Sequence, residues 1–113
     1  MHYALLICTD ETAEVPEQER TARSAEFTVF QTEMESRGVL LGGERLRPTT
    51  TASTVRIRDG DLVIADGPFA ETKEQIAGFY LVDCKDLDEA IEVAAKIPAA
   101  RYGTIEVRPL WEL

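Results

Sequence analysis

Asp66-Gly67-Pro68-Phe69-Ala70-Glu71-Thr72-Lys73-Glu74-Gln75 lies between two runs that read as strands, Asp61–Ala65 and Ile76–Asp83. Its Asp-Gly-Pro opening is turn chemistry: Asp bonds nearby backbone amides, Gly accepts positive φ, and Pro fixes its own φ. Charged residues then fill three of four positions, at Glu71, Lys73 and Glu74. A plain connector needs none of them. The stretch therefore marks both a boundary between strands and a candidate site.

Upstream, Thr54-Val55-Arg56-Ile57-Arg58 alternates polar and apolar, and Asp61–Ala65 does so less cleanly. Asp59-Gly60 between them is a hairpin signal, because a tight turn needs positive φ. Further back, Val39–Leu46 reads as a strand whose paired Gly42 and Gly43 predict a bulge or a close backbone approach. Pro48–Thr51 is a polar connector. The segment from Pro16 to Arg37 has helical spacing, with Ala22, Ala25, Val29 and Phe30 on a stripe that Phe27 and Met34 widen, and Gly38 placed to end it. Tyr3–Cys8 is a near-continuous apolar run, as expected of a central strand. Downstream, Asp86-x-x-Glu89 opens a second helix in capping-box fashion. That helix carries Leu87, Ala90, Ile91, Ala94 and Ile97 on one face and stops at Pro98. Thr104–Arg108 alternates as a last strand.

The order is β-α-β-(β-hairpin)-β-α-β, a single α+β domain over residues 1–113 with a ferredoxin-like plan. Two helices cover one face of such a sheet. Leu5, Ile7, Phe79 and Leu81 are more apolar surface than that layer accepts, so the other face is expected on a second copy, making a homodimer.

The chain is 44% hydrophobic and 29% charged, as in an ordinary globular protein. Twelve Lys and Arg against 21 Asp and Glu leave a net charge of −9, which argues against nucleic acid as a direct partner. No apolar run reaches the roughly 20 residues of a membrane span, and the N-terminus has no signal-peptide pattern. Cys8 and Cys84 sit in predicted strands without a Cys-x-x-Cys spacing, which reads as reduced, unreactive thiols in a cytoplasmic protein. No metal set can be assembled from them with His2, and no phosphate-cradling glycine loop is present. No cofactor is expected.

Several pieces together resemble the YCII-related family, in its DGPF-domain branch. They are Thr54-Val55-Arg56-x-Arg58-Asp59-Gly60, the ten-residue block at Asp66–Gln75, Gly78-Phe79-Tyr80, Asp86-Leu87-Asp88-Glu89-Ala90, Ile97-Pro98 and Ile105-Glu106-Val107-Arg108-Pro109. The resemblance implies a dimeric α/β-barrel assembly with a cleft near the subunit interface. Wider relatives look like small-molecule isomerases or dehalogenating enzymes that use a His–Asp pair. DGPF-branch proteins often accompany extracytoplasmic-function sigma factors. Here Asp66 matches the Asp of the pair, but Glu26-Phe27 stands where the His is expected, and the only histidine is His2.

Proton transfer would then fall to Asp66, Lys73 or Tyr80, with Arg56, Arg58, Glu71 and Glu74 holding a small polar or anionic ligand. Each has a plainer reading. Asp66-Gly67-Pro68 is also a simple turn with Phe69 plugging the core; the loop charges also suit surface pairing, and so do the two arginines, which share a strand face. Two functions stay open: a small-molecule-binding protein, with isomerase- or lyase-like chemistry at the loop and dimer interface, or a non-catalytic regulatory or scaffolding dimer acting with a sigma factor.

Overall fold

Alternation decides which way each side chain of the first strand points. The computed structural model describes residues 1–112 and begins with β1 (His2–Thr9), where Tyr3, Leu5 and Ile7 are buried and Ala4, Leu6 and Cys8 face the other way. Helix α1 (Glu17–Ser36) follows, then β2 (Leu40–Arg45), the hairpin β3 (Ser53–Arg58) and β4 (Asp61–Asp66), β5 (Gln75–Asp83), α2 (Leu87–Ala95) and β6 (Thr104–Pro109). The main sheet is antiparallel with order β2-β5-β1-β6, while β3 and β4 pair only with each other. This is the ferredoxin-like α+β plan with an inserted hairpin.

Local signals act where expected. Gly38 takes φ +71°, and its N–H and that of Val39 donate back to Glu35 and Met34, closing α1 as a Schellman motif. Asp59 and Gly60 both take positive φ at the hairpin turn. Asp86 caps α2 by accepting from the Glu89 amide at 2.9 Å, while the Glu89 carboxylate reaches back to the Lys85 amide.

The core lies between the helices and one face of the sheet. Leu5, Met34, Val82, Val93 and Ile97 are sealed within it, and Phe30 packs on Tyr80 with ring centroids 5.2 Å apart. Two expectations about facing need correction. In α1 the buried set is Phe30 and Met34 with Phe27 beside them, whereas Ala22, Ala25 and Val29 are exposed. They belong to a neighbouring stripe, about 100° round the helix. In the sheet, Leu5 pairs across with Tyr80 and Leu6 with Phe79. Leu5 and Ile7 therefore point into the helix-covered core, and the residues sharing the open face with Phe79 and Leu81 are Leu6 and Ala4. Leu87 and Ile91 are likewise about half exposed, and Val93 is the buried residue of α2 that the spacing missed. Phe69 does not plug the core either; it is 78% exposed.

Gly103 is forced by space: a Cβ there would stand 2.3 Å from the Cys8 carbonyl oxygen, whereas one at Gly42 would meet open space. Gly103→Ala should lower the unfolding free energy in urea by about 1–3 kcal/mol, and Gly42→Ala by less than about 1 kcal/mol. Both cysteines are free, and burial pushes each thiol above its ordinary range, with Glu106 and Glu74 adding to the effect at Cys8 and Glu89 at Cys84. Alkylation by iodoacetamide at pH 8 should accordingly run slower in the native protein than in denaturant, and slowest at the buried Cys84.

Candidate functional site

A cleft of about 810 Å³ opens between α1 and the helix side of β1 and β5, at the end where β1 finishes and β5 begins. That size suits a small molecule. The backbone makes the room. Gly78 is the β5 residue on this side, so no side chain fills the space between Ile7 and Arg45. Gly78 and Gly43 also let β2 close on β5, since a Cβ at Gly78 would come within 2.8 Å of the Glu44 carbonyl and one at Gly43 within 2.5 Å of the Phe79 carbonyl. The register shift between Leu40 and Gly42 supplies the bulge that the paired glycines predicted.

Tyr80 and Gln31 form the polar centre. Gln31 Nε2 donates to the Tyr80 hydroxyl oxygen at 2.8 Å, which leaves the phenolic hydrogen for an acceptor in the cleft. Burial pushes the Tyr80 phenol above its ordinary pKa, with the Gln31 bond opposing. Arg23 stacks over the Tyr102 ring at 3.6 Å and pairs with Glu19 at 2.8 Å, which fixes its guanidinium as part of the wall. Arg20 and Arg45 also line the cleft and make no ion pair among the described residues. At the mouth, Asp10 accepts from the Thr12 hydroxyl at 2.6 Å and the Thr12 amide at 2.9 Å. Those bonds hold its carboxyl below the ordinary range, and the nearby Lys73 charge lowers it further. Glu11, its neighbour, accepts from the Thr49 amide and hydroxyl, tying the mouth to the root of the hairpin.

The two groups are pushed in opposite directions: the Asp10 carboxylate becomes a weaker base and the Tyr80 phenol a weaker acid. The cleft thus presents one phenolic hydroxyl and two guanidinium groups that make no ion pair among the described residues.

The residues singled out in the sequence fall in two places. Tyr80 lines the cleft, and Lys73 acts on its mouth through Asp10. Glu74 accepts from the Thr104 hydroxyl at 2.8 Å, anchoring the loop to β6. Asp66 ends β4 in the exposed turn, where Gly67, at φ +96°, donates its N–H to the Ala52 carbonyl. Glu71 is exposed. Arg56 and Arg58 do share a hairpin face, but Arg56 lies over the Phe69 ring at 5.3 Å and Arg58 bonds the Ile57 carbonyl, and neither lines the cleft. Among the described residues neither arginine makes an ion pair. Sequence reasoning missed Arg20 and Gln31, which no local motif joins; only the helical period placing Gln31 one turn after Phe27 offered a clue.

A 43% identical relative, an uncharacterized protein of Rhizobium meliloti (strain 1021), aligns over 116 positions that take in 97% of this chain and 92% of the relative. The YCII-related domain matches residues 1–113. The chain thus belongs to the YCII-related family.

Proposed function

We propose that this YCII-related protein binds a small polar or anionic molecule in the cleft between α1 and β5. The observation that carries the reading is the Tyr80 hydroxyl, which accepts from Gln31, in a cleft shared with Arg20 and Arg45, neither of which makes an ion pair among the described residues. A ligand oxygen accepts from Tyr80 while a carboxylate or phosphate meets the guanidinium groups, which are suited to planar oxyanions. Lys73 adds positive charge at the mouth. Isomerase- or lyase-like chemistry in this cleft would use Tyr80 as its acid. The protein works in this reading as a homodimer, the half-buried Leu6, Phe79 and Leu81 of the open sheet face packing on a second copy. A second reading, a regulatory or scaffolding dimer acting with an extracytoplasmic-function sigma factor, draws on a different observation: the exposed hairpin.

A thermal-shift screen of small carboxylates and phosphates should return ligands that raise the melting temperature, since binding to the native state alone stabilises it. Tyr80→Phe keeps the ring on Phe30 and should weaken such a ligand about tenfold, the worth of one hydrogen bond at ~1.4 kcal/mol. Arg45→Ala and Lys73→Ala should weaken it in proportion to its charge. If all three variants keep full affinity, the ligand binds elsewhere and the reading falls. Affinity should also stay flat up to about pH 9, because the Tyr80 donor exists only while protonated and its pKa lies above the ordinary phenol value near 10. A fall in affinity between pH 7 and 9 for a fully ionised ligand would remove Tyr80 from the role.

A further inference from the structure

The β3–β4 hairpin has two unlike faces. Val55 pairs with Ile64 and Ile57 with Leu62, so four aliphatic side chains form one face, each between 61% and 64% exposed. The other face carries Thr54, Arg56 and Arg58 against Ala65, Val63 and Asp61. Apolar-in and polar-out alternation is what a strand pair shows when one side meets a core. No core lies beneath this one. An isolated two-stranded hairpin is marginal in water, and these strands bond only to each other. The radius of gyration is 16.1 Å and the longest extent 48 Å, where a compact chain of roughly 100 residues has a radius near 13 Å. The hairpin is an arm.

Resting on the homodimer reading above, we infer that each arm lays its aliphatic face (Val55, Ile57, Leu62, Ile64) on the second copy, clamping the dimer. Area supports this occupant. The four side chains expose on the order of 400 Å², the upper range of what a monomer leaves uncovered. A stable interface needs about 800 Å² per partner, so the arm supplies about half and the open sheet face can supply the remainder. Both surfaces occur once in every copy, as a self-complementary twofold contact requires. A chain with net charge −9 repels its twin, and an uncharged contact face limits that cost.

Light scattering at micromolar concentration should give twice the 12.6 kDa chain mass for the native protein. Ile57→Lys combined with Ile64→Lys should raise the dimer dissociation constant at least ~100-fold while leaving the far-ultraviolet circular dichroism of the monomer unchanged, because both side chains are solvent-exposed within one copy. Hydrogen exchange of the native protein gives a second measure that needs no variant: arm amides should slow as concentration rises through the dissociation constant. If the native protein is a dimer but the double variant dimerises equally well, or the arm amides ignore concentration, the clamp is wrong and the homodimer stands. A native monomer at tens of micromolar overturns both.

Discussion

The pairing of β1 with β5, with Leu5 opposite Tyr80 and Leu6 opposite Phe79, is the constraint from which the rest of the molecule follows. Because side chains alternate, this one register assigns Tyr3, Leu5, Ile7, Tyr80 and Val82 to the helices, and Ala4, Leu6, Phe79 and Leu81 to the open face. A slip of one residue would bury Phe79 and send Tyr80 outward, removing the core and the cleft together. The two faces then have separate duties. One, sealed by Phe30, Met34 and Val93, supplies stability; at its unsealed end it becomes the cleft. The other stays half-buried in the single chain.

The cleft exists because the sheet lacks side chains where α1 leaves it. Gly78 and Gly43 bring β2 against β5 so closely that no other residue fits without a backbone shift. The same close packing sets Arg45 beside Gly78 at the rim. The same glycines therefore set both the strand packing and the shape of the cleft. The electrostatics follow from what surrounds each group: local hydrogen bonds stabilise the Asp10 charge, while burial disfavours ionisation of Tyr80.

Much of the fold was legible in the sequence, because its signals are local. Gly38 ends α1, Asp59-Gly60 turns the hairpin and Asp86 caps α2 through contacts within five residues of each. Facing was less legible. A continuous apolar run such as Tyr3–Cys8 gives no parity, so assigning Leu5 and Ile7 to the open face needed the partner register, which is a contact across more than seventy residues. The outer apolar stripe of α1 misled for the same reason: Ala22, Ala25 and Val29 keep helical period as well as Phe27, Phe30 and Met34 do, and only tertiary packing chooses between them. Of the candidate site residues read from the sequence, Tyr80 is the one that lines the cleft. Charge density drew attention to Asp66–Gln75, but Arg20, Gln31 and Arg45 come together only through the fold.

The loop at Asp66–Gln75 joins these parts more than it competes with the cleft. Its first residues end the arm, through Gly67 bonded to Ala52 and the Thr54 hydroxyl bonded to the Gly67 carbonyl. Its middle is pinned by Gln75 Nε2, which donates to the Ala70 carbonyl at 2.9 Å. Its last residues tie to β6 through Glu74 and bring Lys73 toward Asp10. The arm's other root, at Thr49, holds Glu11 at the same mouth. Both roots of the arm therefore meet the cleft entrance through short hydrogen-bonded segments. That accounts for charged and turn residues being concentrated here: the loop must hold its shape without burial, and polar bonds are the means left to it.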